Sequence, residues 1–530
     1  MGKIYSAGGK WYELGAGLSE SQVKLWMEEE SKDLCDGLSV PVLKAKQSWY
    51  QGSTLREEIE NIVITDNYTE TGTEDESWIA DDEDSGDITC YVDGTTLIIA
   101  SNRTGGLAMN SNSEFAFAGF TGAVTMTGQE LLRVDRVHRG YGLFKNGGFK
   151  TLGADSWNFR RAYNLIQAFM GCAAMVTANL GQSTLRHVNS LREMFRECTA
   201  LAEVISPRLA VEDCISTRQM FYDCPYLESV DMGRCTFSKC TDMSNMFRGC
   251  HSLPYIDCSS WRLRSCVDGQ NMFSSLTQSV YLTGMQLTEI KGVENFGMGQ
   301  CTDISHMFYG CQRLKRLDLS TWDVRKVTDY SHMFADTTAM QELILNDGLG
   351  NAWQPESAVS FNAMFNDCGA AVLDVSSFSC AKAMCLSQMF ERARGEIVGY
   401  ELLDTSEATE MVEMFSGTKM EFMDFSGYDT GKVTSTVQSG DVQSLPGMGA
   451  FLLDAKYLRR ITLGAKFSTV GDGTLTAAQQ FTLPVPSADY IAGADGYWYE
   501  ADGTRYAPDA PPNPAAMGRA VTLHAVDPTA

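Results

Sequence analysis

Three kinds of side chain recur in this sequence at spacings that would let them act together. Cys172, Cys198, Cys224, Cys250, Cys311 and Cys368 each stand three residues after a phenylalanine, and the first four follow one another at 26-residue steps. Thiols brought side by side in this way would bridge on oxidation, Cys172 to Cys198 or Cys224 to Cys250. His306 and His332 are also 26 residues apart, and two neutral imidazoles begin a metal site, but no third ligand follows in matching register. Asp231, Asp257, Asp318, Asp374 and Asp424 would form a carboxylate column able to hold a cation, against which solvated or turn-bonded aspartates are the expected state. The acidic run DDEDSGD at 81–87 has Gly86 in the sixth place of a calcium-type loop, yet Val92 fills the twelfth, where a bidentate glutamate is required. It reads as a solvated loop.

The patterns of nucleophilic, phosphate-binding and zinc-dependent catalysis are missing. The sequence has no P-loop, no H-E-x-x-H, no G-x-S-x-G and no C-x-x-C pair. The expectation is a non-enzymatic protein with no cofactor and no bound metal.

What must position these residues is a repeat. Phe195, Phe221, Phe247 and Phe273 each follow a methionine at steps of 26, and Phe308, Phe334, Phe365, Phe390 and Phe415 continue the beat at steps of 35, 26, 31, 25 and 25. A unit of this size cannot bury its own apolar face, so its copies must stack. Phe169, Phe144 and Phe117 extend the array upstream and Phe451 downstream. About thirteen coils result, roughly 60 Å long at ~4.8 Å per coil. In the clearest copy, 307–334, Leu314, Leu317 and Leu319 give the strand spacing L-x-x-L-x-L, with Asp318 outward between inward leucines. Thr328-Asp329 reads as the cap of a short helix carrying Met333-Phe334, and Thr241-Asp242 and Thr302-Asp303 repeat it. The fold class is therefore expected to be an α/β repeat, a leucine-rich-repeat-like solenoid with parallel strands. Leu276, Thr337, Ala393 and Thr418 replace cysteine in the other copies, which marks that slot as a small, buried packing position holding reduced thiols.

One outward row, eight residues after each phenylalanine, reads Glu203, Ser229, Tyr255, Tyr281, Arg316, Glu342. Tyr255 and Tyr281 are expected in adjacent coils, where paired exposed tyrosines beside Arg316 and Glu342 suit a protein or glycan ligand. A cross-strand pair that only stabilises the sheet is the competing role.

The formal charge is −25, from 42 Lys+Arg against 67 Asp+Glu. Such a surface repels phosphate backbones and anionic lipid, which disfavours nucleic acid and membrane insertion. No stretch approaches the ~18 apolar residues of a membrane span. The N-terminal residues show no basic-then-apolar signal, so folding in a cytosol is expected.

These residues resemble the BspA-like leucine-rich repeat family of bacterial surface proteins. The resemblance rests on MFYGCQRLKRLDLSTWDVRKVTDYSHMF at 307–334 and CTDMSNMFRGCHSLPYIDCSSW at 240–261, with family-like flanks SWYQGSTLREEIENIVI (48–64), DITCYVDGTTLIIAS (87–101) and YIAGADGYWYEADGTRYAP (490–508). It implies binding rather than catalysis. Similar repeats occur in phages of gut bacteria, whose virion proteins need no export signal. The resulting expectation is a virion protein of the tail tip or fibre that binds a host cell-surface protein or glycan. The alternatives are a bacterial cell-surface adhesin and a purely structural decoration or collar protein. The expected organisation is an attachment segment at 1–45, a β-rich cap at 46–110, the repeats at 111–465 and a small β cap at 466–530. Residues 19–34 read as an amphipathic helix that would contact other virion proteins.

Overall fold

The computed structural model describes residues 4–7, 10–13, 40–275, 284–349, 352–438 and 446–529. The predicted helix at 19–34 lies outside them. The protein is mostly β, with short strands, a few 3-10 turns and, among the described residues, one four-residue α-helix, Pro514–Met517.

Leucine alternation produces the strands. In Arg316–Asp318 and Glu342–Ile344 the central Leu317 and Leu343 are buried while Arg316 and Glu342 are exposed. Burying one such leucine contributes about 2 kcal/mol. The pair is parallel and in register, Arg316 opposite Glu342 and Asp318 opposite Ile344. Glu203–Ile205, Tyr255–Asp257 and Val372–Asp374 repeat the exposed–buried–intermediate pattern. The strands nevertheless form several short sheets rather than one continuous sheet. One break has a plain cause. The N–H before each strand reaches back to the preceding repeat, Ala202 to Val176 and Glu228 to Ala202. The next residue in that series is Pro254, which has no N–H to give.

The Met-Phe segment does not form the expected helix, which corrects the α/β assignment. Residues 329–337 are a bridge followed by turns, as is the same segment of the other repeats. Residues four apart are left-handed: Asn245 and Gly249 around Phe247 have φ of 60° and 81°, and His332 and Asp336 around Phe334 have 56° and 58°. In these turns every second N–H points at the next repeat. Asn245 donates to the Gln270 carbonyl at 2.8 Å, Phe247 to Met272 at 2.9 Å and Gly249 to Ser274 at 3.0 Å. The N–H groups between them turn back within the repeat, Met246 to Met243 and Arg248 to Asn245, each at 3.3 Å. A left-handed non-glycine residue costs about 1–2 kcal/mol, which the inter-repeat hydrogen bonds offset at about 1 kcal/mol each. The threonines expected as helix caps work differently too. Thr241, Thr302 and Thr328 donate their hydroxyls to the Ile215, Val267 and Thr302 carbonyls of the preceding repeat.

Five residues before the phenylalanines, and four before Phe451, runs a chain of single parallel bridges. It passes from Asn112 through Arg139, Asn164, Ser190, Ser216, Asp242 and Asp268, then through Asp303, Asp329, Ser360, Cys385 and Glu410 to Gly447, thirteen positions in all. Inside it the rings form a spine. Phe221, Phe247 and Phe273 are buried, with centroids 5.3 and 6.0 Å apart and planes within 12° and 3° of parallel. The spine begins at Phe117 and ends at Phe451. Opposite it lie buried indoles whose N–H groups reach into the preceding repeat, Trp322 to the Val293 carbonyl at 2.9 Å and Trp353 to Leu319 at 2.7 Å. That partner is what makes a buried tryptophan affordable.

Both ends of the stack join a sheet. Asn61–Thr65, in a five-stranded N-terminal sheet, pairs parallel with Thr125–Thr127. At the other end Phe422–Phe425 pairs parallel with Arg460–Leu463, which then takes Val521–His524 antiparallel. The three long repeat steps contain residues 276–283, 350–351 and 439–445, outside the described set.

Candidate ligand-binding face

The outward strand row is built by the alternation that buries Leu317 and Leu343. Arg316 and Glu342 come together: Arg316 Nε donates to Glu342 Oε2 at 2.7 Å, and its guanidinium also reaches Asp318 at 3.5 Å. Both partners are more than half exposed.

Of the two tyrosines, the described residues include one. Tyr255 is exposed, but its in-register partner in the next repeat is Glu289. Tyr281 lies outside the described residues. The 35-residue step places its extra residues between Phe273 and the strand Glu289–Lys291, so Glu289 takes the register that spacing from Phe273 gave to Tyr281. Beside Tyr255, Lys291 Nζ donates to Asp257 Oδ2 at 2.8 Å. Partial burial pushes the Asp257 carboxyl up, but the Lys291 ammonium and the Ser259 N–H outweigh it and hold it at about 2. The row therefore offers an aromatic edge at Tyr255 followed by paired charges. A second aromatic, not foreseen from spacing, closes it: the Arg460 guanidinium lies 5.0 Å from the centroid of exposed Phe422, its in-register neighbour.

The aspartate row is turn-bonded. Asp257, Asp318, Asp374 and Asp424 each accept the N–H two residues on, from Ser259, Ser320, Ser376 and Ser426. Asp231 does the same with Gly233. In the 81–87 loop, buried Asp81 accepts from Ser85, Gly86 and Ile88. His306 and His332 stack at 4.7 Å between centroids, and no group of three or more metal-ligating side chains occurs among the described residues. The cysteine slot is buried, and its thiols are free. Cys198 Sγ donates to the Phe169 carbonyl at 3.0 Å, and Cys224 and Cys250 repeat the bond to Phe195 and Phe221.

A second carboxylate column escaped the sequence reading. Asp242, Asp268, Asp303 and Asp329 occupy successive bridge positions. Burial pushes the Asp303 carboxyl up to about 6; the Ser305 N–H and hydroxyl partly offset this, and Asp329 and Asp268 on either side add repulsion. Burial raises Asp268 as well. Its signal in the sequence is Asp-x-Ser before Met-Phe at Asp242, Asp303 and Asp329, the same residues that read as helix caps.

Residues 163–284 and 279–398 match the family described as "Mycoplasma protein of unknown function, DUF285", a BspA-like repeat family. No curated protein matches the chain. Among solved structures, a TLR13–ssRNA13 complex is similar with 14% identity and a TM-score of 0.19, over 63% of this chain and 56% of that one. The chain thus spans little more than half of that neighbour, and at that score the likeness carries no argument.

Proposed function

We propose that this protein is a non-enzymatic binding protein, a leucine-rich-repeat-like solenoid of about thirteen coils whose outward strand face takes a host cell-surface protein or glycan. The observation that carries the reading is the exposed Arg316–Glu342 pair, with the exposed aromatics Tyr255 and Phe422 on other outward strand positions. A stack held by backbone bonds on its turn side leaves these strand side chains free to vary without disturbing the fold. Its favoured setting is a phage tail tip or fibre, with the N-terminal segment making the contact to other virion proteins. The bacterial cell surface is the alternative.

The test has two parts. Gold-labelled antibody against this protein on intact phage particles is expected at the distal tail; label on the capsid or at an internal joint overturns the tail assignment. The purified protein is expected to bind host cells and to block adsorption. Failure to bind them, with the fold intact by circular dichroism, overturns the binding reading.

A further inference from the structure

Away from the strand face, two adjoining cavities open at the C-terminal end of the stack. One, of about 470 Å³, lies between the turn segments of the last repeats and Tyr457. The other, of about 330 Å³, runs on beneath residues 482–485. They share Leu453, Asp454, Lys456 and Tyr490 and so form one cleft. Each is within the size range of small-molecule pockets, roughly 300–1,000 Å³.

The cleft has a particular chemistry. Its wall is a pair of exposed tyrosines, Tyr457 and Tyr490, 5.6 Å apart and nearly perpendicular at 78°. Leu453, half exposed, continues that apolar surface. Its floor is small, Ser416-Gly417-Thr418, and Gly417 holds a left-handed φ of 69°. A Cβ at Gly417 would stand 2.8 Å from Arg392 Cγ, so glycine there keeps the floor low. Charges around the cleft are balanced in number, and several are paired. Arg392 pairs with Glu391 at 3.3 Å and with Asp367 at 2.7 Å, Lys456 with Asp454 at 3.6 Å, and Glu413 accepts from Gln388 at 2.7 Å. The Lys456 ammonium also sits 5.7 Å from the Tyr490 centroid.

We infer that this cleft is a binding site for a neutral oligosaccharide. Aromatic faces set at an angle receive the C–H faces of successive sugar rings. Three carboxylates, Glu391, Glu413 and Asp454, and three cations, Arg392, Lys419 and Lys456, offer many donors and acceptors with no excess charge, which suits hydroxyls. An anionic ligand would gain Arg392, Lys419 and Lys456 but meet Glu391, Glu413 and Asp454, within a chain of charge −25. A purely apolar ligand would leave those polar groups desolvated. The inference rests on the binding reading above and gives it a second location and a ligand class.

The experiment uses the full chain on an array of neutral hexose and N-acetylhexosamine oligosaccharides printed beside sialylated and sulfated ones, with titration calorimetry on the hits. Binding to neutral oligosaccharides is expected. Tyr457→Ala and Tyr490→Ala are expected to weaken it at least tenfold at unchanged melting temperature, and Tyr490→Phe to retain it. Arg325→Ala, at an exposed residue outside both the cleft and the strand row, is expected to leave it intact. Full binding in both alanine variants, a preference for the anionic glycans, or no binding on the array overturns the site. If the array is blank while the protein still binds host cells, the site fails and the binding reading stands; if host cells are not bound either, both fail.

Discussion

Glu342 Oε2 accepts a 2.7 Å hydrogen bond from Arg316 Nε across one parallel strand step, with both side chains more than half in water. An exposed pair of this kind contributes between about 0 and 1 kcal/mol. In a double-mutant cycle, Arg316→Ala and Glu342→Ala are expected to couple by less than about 1 kcal/mol. Their effect on recognition should be larger. Host-cell binding by the double variant is expected to fall about tenfold, equivalent to about 1.4 kcal/mol, read from cell-binding isotherms. Unchanged affinity would remove this pair from the binding face.

The phenylalanine spine sets the stability. Phe247 is buried between Phe221 and Phe273. Phe247→Ala is expected to cost about 3–5 kcal/mol from lost burial plus a cavity, measured by urea unfolding followed through tryptophan fluorescence. Tyr255→Ala, on the exposed strand face, should stay within about 0.5 kcal/mol. Equal losses for the two would mean the spine does not carry the stack.

Asp303 gives a pH dependence of definite sign. Its folded-state carboxyl titrates at about 6, above an ordinary aspartate, because it is buried and stands between Asp268 and Asp329. The native state then holds the proton more tightly than the unfolded chain, so stability falls as pH rises from about 4 to about 6 and levels off above that. The single-site contribution is on the order of 2–3 kcal/mol. Asp303→Asn keeps an oxygen for the Ser305 N–H and should flatten that slope and stabilise the protein at pH 7. An unchanged slope in denaturant titrations between pH 4 and 6 would count against the assignment.

The stacked thiols should be inert. Burial raises the Cys172 thiol to about 12 and pushes Cys198, Cys224 and Cys250 up as well. The thiolate is the reactive form, so iodoacetamide at pH 8 is expected to leave these four unmodified in the native protein and to label them after unfolding. Mass spectrometry of peptides from the native reaction reads this; an adduct at Cys224 would show the slot to be open.

The parts of this fold legible in sequence were those fixed by side-chain type alone. The phenylalanine beat, the burial of Leu317 and the packing role of Cys198 follow from apolar residues at constant spacing. Backbone handedness was not legible. Glutamate, glutamine and histidine at Glu193, Gln219 and His332 are ordinary helix residues by propensity, yet all three are left-handed, in turns that bond to the next repeat. Nor does a step of 35 say where its extra residues go, and that single unknown separated Tyr255 from its expected partner. The cleft at Tyr457 and Tyr490 joins segments 33 residues apart outside the regular register, so no periodicity could announce it.

Val521–His524 runs against Arg460–Leu463 rather than along it. A stack of like-directed rungs presents, at its last member, a row of unmet amides matching the first rung of any other copy. A reversed strand laid over that row removes the template. The molecule is thereby given a finite length, and growth into head-to-tail fibres is blocked at this end by the polarity of four residues.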